Sequence, residues 1–263
     1  MDVSGVKLPS SFRGQRDVVL ICHGRGGPDR ETDMTRAAVM AQDRAKNVSR
    51  AVEVFNWEQW IDPSPDRLFL GATDVGRRLG QALASEVQLR SVHIVGTSAG
   101  GFVADACCKA YVAARPVGPR AATRLSLCDP FTSSNPQFGT LDWFLGSDAS
   151  TLAAGKVAAQ FGAGADFAEH FLNTDDIVPS TSTPLPNCYV YDVTASSEKR
   201  SFALPGGGQT SDRAKNFILW SLGYHNFPMA YFAEHYQTIV DDEGRVRFPS
   251  HDDFPRGKVV LVA

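Results

Sequence analysis

Ser98 stands at the centre of Gly96-Thr97-Ser98-Ala99-Gly100, with Gly101 following. A serine hydroxyl is a poor nucleophile until a nearby imidazole takes its proton, and a carboxylate that orients the imidazole completes the arrangement. The chain holds six histidines, and Asp129, Asp175 and Asp176 each follow an apolar run. These residue types, far apart in the chain, are what acyl transfer through a covalent serine intermediate requires.

The histidines sort by context. His23 belongs to a glycine-rich turn and reads as scaffolding; His93 and His170 lie inside apolar runs; His235 falls late on a helix; His251 sits in the exposed-looking His251-Asp252-Asp253. His225 remains. It lies beyond the strand-like runs, where the order serine, acid, histidine puts the base. Order alone does not choose among Asp129, Asp175 and Asp176 as the acid. His23-Gly24-Arg25-Gly26-Gly27 directly follows an apolar run. Glycines there let main-chain N–H groups turn toward a neighbouring site, so the expected oxyanion donors are the amides of Arg25 and Ala99.

These residues need a sheet edge to meet on. Strands are expected at Asp17–Cys22, Ala51–Trp57, the run ending at Val95, Thr123–Leu127, Ala168–Leu172 and Cys188–Val193. Helical spacing covers Thr32–Asn47 with Thr32 as cap, Leu68–Val87, Phe102–Ala114 and Met229–Gln237. The run after Ser98 makes the glycine motif a strand–turn–helix, the context of a nucleophile elbow. Thr132–Gly164 reads as an excursion with a short helix near Thr151–Phe161. Ser196–Leu222 reads as a flap with its own short helix, and His225 falls in the loop Gly223–Pro228. Thr238–Ala263 resembles a terminal hairpin with its turn at Asp241–Gly244. Alternating strands and helices predict an α/β fold with a mostly parallel central sheet and helices on both faces, in one domain over residues 1–263.

Composition narrows the partners. With 43% hydrophobic residues over 263 positions the chain can bury a full core. A net charge of −3 without a basic run argues against nucleic acid as a partner. No apolar run approaches a membrane span and no leader is visible, so a cytoplasmic protein without integral membrane association is expected. Five cysteines without CxxC spacing read as small buried residues rather than metal ligands or a disulfide framework.

From about Asp17 to Gln237 the chain resembles the pancreatic-type lipase family of α/β-hydrolases. The strand and His-Gly loop are similar to Val18–Gly27, the elbow to Val92–Gly101, and the family's Asp-Trp strand end to Asn56-Trp57. The Leu-Asp-Pro acid motif is similar to Leu127-Cys128-Asp129-Pro130 with one residue inserted. A His-Thr-Asp strand end resembles Asn173-Thr174-Asp175, and the base region resembles His225–Phe232. Arg25 stands where the family usually has an aromatic. The resemblance implies a serine carboxylic-ester hydrolase of the esterase or lipase type, with Ser98, Asp129 and His225 as its triad. Asp175 and Asp176 remain alternatives for the acid. It also implies a small-molecule or lipid ester as substrate, no cofactor or metal, and a flap that can meet lipid surfaces. Two other functions use the same constellation: thioester cleavage or acyl transfer by the triad, and a catalytically silent ligand-binding α/β-hydrolase fold.

Overall fold

Asp17–Cys22 forms a strand, β1, buried at all six positions. Val18, Leu20 and Cys22 enter one apolar cluster, while Val19 and Ile21 enter another. A strand whose successive side chains are all apolar must be covered on both faces. In the computed structural model, which describes residues 3–61, 65–115, 121–131, 157–175, 183–201 and 213–263, it is.

The other strands are β2 (Ala51–Phe55), β3 (Ser91–Thr97), β4 (Ala122–Cys128), β5 (Phe167–Leu172), β6 (Tyr189–Asp192), β7 (Ile239–Val240), β8 (Val246–Arg247) and β9 (Val259–Leu261). Seven form one sheet in the order β2-β1-β3-β4-β5-β6-β9, every neighbouring pair parallel. The helices are α1 (Arg30–Ala45), α2 (Pro65–Ala84), α3 (Gly100–Ala114) and α4 (Arg213–His235). Residues of α2 and α3 pack with one cluster; Val39 of α1 and Phe227, Met229 and Phe232 of α4 pack with the other. This is the α/β sheet with helices on both faces that the sequence predicts. Strand order reverses between β1 and β3, and open α/β sheets bind ligands at such a switch point, beyond the C-terminal strand ends.

Four local expectations are corrected. Asp29, not Thr32, caps α1: its side chain accepts from the Thr32 amide while Thr32 Oγ1 accepts from the Asp29 amide, a reciprocal capping box. Val259–Leu261 does not belong to the terminal hairpin but joins the main sheet beside β6, leaving β7 and β8 as the hairpin around Asp241–Gly244. The helix expected within the flap is the first part of α4, continuous through Gly223–Pro228. His251 is half-buried, its Nε2 accepting from the Ala168 amide at 3.0 Å and its Nδ1 contacting the Phe254 carbonyl at 2.8 Å. The excursion over residues 132–156 and the flap's middle, 202–212, lie outside the described residues, as does Asp176.

Helices α2 and α3 approach closely because Gly76 and Gly80 lie between them. A Cβ on Gly80 would sit 2.2 Å from the Cys107 carbonyl oxygen, and one on Gly76 2.3 Å from that of Val103. Alanine in a helix interior gains about 1 kcal/mol over glycine, but a collision with backbone forces the helices apart and costs about 1–3 kcal/mol or more. Gly80→Ala is therefore expected to lower stability in urea unfolding; an unchanged or higher midpoint would show that the interface yields.

On the α4 face, a buried polar row crosses three strands. Arg124 donates twice to Glu169 Oε1, at 2.9 and 2.6 Å, and Ser126 donates to the same oxygen at 2.5 Å. With its one O–H so used, Ser126 must accept from His93 Nε2 at 2.8 Å, which places the His93 proton on Nε2. Burial, with Arg124 and Arg50 nearby, holds His93 well below the ordinary imidazole range. Burial likewise lowers His170 to about 3. Such groups are protonated in the unfolded chain before the folded one, so their contribution is complete above about pH 6.5. For His170 it is lost as pH falls from there toward 3. Over that window His170 should add about 1.4 kcal/mol per pH unit to the loss of stability. Urea unfolding between pH 7 and 4.5 should show a shallower decline in His170→Leu than in the parent, and parallel curves would exclude the effect.

Candidate active site

Both glycines of the Ser98 motif answer a steric demand. A Cβ on Gly96 would meet the Ala104 Cβ and the Gly100 carbonyl oxygen at 2.7 Å, and one on Gly100 would lie 2.3 Å from the His23 carbonyl oxygen. The turn between β3 and α3 is that tight. It forces Ser98 to φ +51°, a left-handed conformation that serine rarely adopts. Strain of this kind persists where the surrounding structure over-determines it, and it clusters at functional sites. The Ser98 amide donates to the Cys128 carbonyl at 3.1 Å, and Thr97 pairs with Cys128 in the register of β3 and β4. Ser98 and Asp129 thus leave neighbouring strands side by side.

Asp129 is fully buried and is also left-handed, at φ +46°. Its amide donates to the Phe171 carbonyl of β5 at 3.0 Å. Its carboxylate contacts His225 Nδ1 through Oδ2 at 3.0 Å and accepts from the Asn173 amide through Oδ1 at 3.4 Å. A buried carboxylate requires such partners. His225, 7% exposed, comes not from a loop but from mid-helix in α4, and its ring lies 6.5 Å from that of Phe131. Asp175 is placed elsewhere: half-exposed, it pairs with Lys199. The structure therefore brings Asp129, and not Asp175, to the histidine.

The glycine loop after β1 borders the serine. A Cβ on Gly24 would be 3.2 Å from the Ser98 Cβ and 3.8 Å from its Oγ. Arg25 follows directly. Gly26 and Gly27 take φ of +104° and +96°, and the Gly26 amide donates to Glu58 Oε1 at 2.7 Å. Beneath the loop, His23 stacks on Trp57 at 5.3 Å, and Trp57 Nε1 donates to the His23 carbonyl at 2.8 Å. Close contact of His23 Nδ1 with the Gly24 carbonyl, at 2.6 Å, requires the proton on Nδ1. His23 thus acts as a buried brace, as its sequence context suggests. On the other side of Ser98, Ala99 is the N-cap of α3. The first amides of a helix have no acceptor within it, and Ala99 and Gly100 stand at that end of α3.

Sequence reasoning missed three contributors. Glu58 ties down the glycine loop; Asn173, fully buried, touches Asp129 and also donates through Nδ2 to the Tyr224 carbonyl at 3.0 Å; Lys199, 5% exposed, donates to Asn173 Oδ1 at 2.7 Å. One signal was legible. Pro228 lacks the N–H that would bond Tyr224 four residues earlier, so a helix through Pro228 needs an outside donor beside His225.

Nucleophilic sulfur is disfavoured here, since burial pushes the thiols of Cys22, Cys107, Cys128 and Cys188 upward and keeps them protonated. Among the described residues no cluster of His, Cys, Asp or Glu could hold a metal ion, and no helix is long and apolar enough to cross a membrane. A search against models of known protein families finds no match, and a search of curated proteins finds none either.

Proposed function

We propose that the chain is a serine carboxylic-ester hydrolase. Ser98 attacks the ester carbonyl, His225 takes the serine proton and returns it to the leaving alcohol, and Asp129 holds His225 Nδ1–H. The amides of Arg25 and Ala99 receive the tetrahedral oxyanion, and water, deprotonated by His225, then releases the acid from the acyl-enzyme. The observation that carries this reading is the 3.0 Å contact between Asp129 and His225, made where the left-handed Ser98 leaves the adjacent strand. Neither a structural aspartate nor a structural histidine needs that location. Phe131 beside His225, with Phe69 packed edge-on to it at 5.1 Å, gives the site an apolar flank that suits an apolar acyl or alcohol group. Resemblance to pancreatic-type lipases points to the same chemistry.

The test is covalent. A fluorophosphonate should inactivate the protein with one adduct per chain, on the peptide carrying Ser98, and abolish hydrolysis of p-nitrophenyl butyrate. An adduct on another residue, or hydrolysis that survives complete labelling, removes the mechanism. Acyl-thioesters and added alcohol acceptors in the same assay separate ester hydrolysis from thioester cleavage and acyl transfer.

A further inference from the structure

The Tyr224 carbonyl, one residue before the candidate base, lies where α4 lacks its usual donor because Pro228 has no N–H. Asn173 supplies the bond, with Nδ2 3.0 Å from that oxygen. Its backbone amide reaches Asp129 Oδ1 at 3.4 Å, so one residue touches the support of both the acid and the base. The orientation of its side-chain amide is set by Lys199. An ammonium can only donate, and Nζ lies 2.7 Å from Oδ1, which turns Nδ2 toward Tyr224. Lys199 is itself held by Asp175, by the Thr194 carbonyl at 3.4 Å and by the Tyr224 ring, whose centroid is 4.5 Å from Nζ. Asn173 follows β5, and β5 pairs with the strand that delivers Asp129.

Resting on the hydrolase reading, we propose that Asn173 is a positioning residue that locks the His225 turn of α4 to Asp129. Pro228 opens the docking point and Lys199 orients the amide. The clamp gives a role to the missing helix hydrogen bond beside the base: with an ordinary residue at 228, the Tyr224 carbonyl would already be engaged inside α4, and the Asn173 amide would add less there. A displacement of about 1 Å at a reacting group can cost on the order of 100-fold in rate.

The test compares Asn173→Leu, which keeps the volume but not the amide, with Pro228→Ala and the double variant. Readouts are kcat and KM on p-nitrophenyl butyrate, thermal melting, and the downfield proton NMR signal of an imidazole N–H shared with a carboxylate. Asn173→Leu should lower kcat about 10- to 100-fold with KM within about 2-fold, and should weaken the downfield signal. Adding it to Pro228→Ala should cost less than adding it to the parent, because the restored helix N–H already holds Tyr224. Parent-like kcat and signal in Asn173→Leu, or an equal cost in both backgrounds, overturns the proposal. If Asn173→Leu does not fold, Lys199→Met decides, with an unchanged signal counting against the clamp. The NMR readout needs no turnover. Absence of a fluorophosphonate adduct on parental Ser98 would defeat the hydrolase reading, while the signal would still judge Asn173.

Discussion

Ser98→Ala is expected to lower kcat/KM for p-nitrophenyl esters by about 10⁴- to 10⁶-fold, with the remaining rate above water coming from substrate binding and the oxyanion donors. The size follows from the proposed role: without the hydroxyl no acyl-enzyme can form, and His225 would have no serine proton to take. Little of the loss should come from misfolding. Alanine and serine have similar cost in the left-handed conformation that residue 98 adopts at φ +51°, and the steric demand of the turn falls on Gly96 and Gly100. Thermal melting should therefore stay near that of the parent while turnover collapses. Hydrolysis by Ser98→Ala within a few-fold of the parent would mean that any esterase activity resides elsewhere.

Replacing the proposed triad acid should have the next largest effect. Asp129→Asn is expected to cost about 10³- to 10⁴-fold in kcat, whereas Asp175→Asn should stay within about 10-fold. An amide at 129 can present its N–H to Nδ1 of His225. The imidazole proton then sits on Nε2, the nitrogen that must accept the serine proton. Asparagine also tolerates the left-handed φ of +46° better than most residues, so the change isolates chemistry from backbone strain. Asp175 faces Lys199 and can act only through the clamp around Asn173. Steady-state kinetics of the two variants decides: a parental rate for Asp129→Asn with a collapsed rate for Asp175→Asn would exchange their roles.

Much of this architecture was legible locally. The run Val18-Val19-Leu20-Ile21 could only be a strand covered on both faces, and Gly96 and Gly100 mark a turn in which side chains have no room. Ser98 was legible for the same reason, because the motif describes the geometry of its own few residues. The helical reading failed at Gly223–Pro228, where glycine and proline suggest a loop. Tertiary packing of Phe227, Met229 and Phe232 against the sheet instead carries α4 through them.

Sequence periodicity and the sterics of glycine, proline and caps act over a few residues, and they determined the strands, most helices, the α/β class and the elbow at Ser98. The partner of His225 was beyond their reach. Asp129, Asp175 and Asp176 all end apolar runs, and the pairing joins residues 96 positions apart. Only the tertiary structure brings Asp129 rather than Asp175 to His225, because strand order puts the end of β4 beside β3 while the Asn173 side chain bonds the Tyr224 turn of α4. Strand order and helix docking arise from burying two faces of a sheet at once, a condition on the whole chain that no short stretch can express.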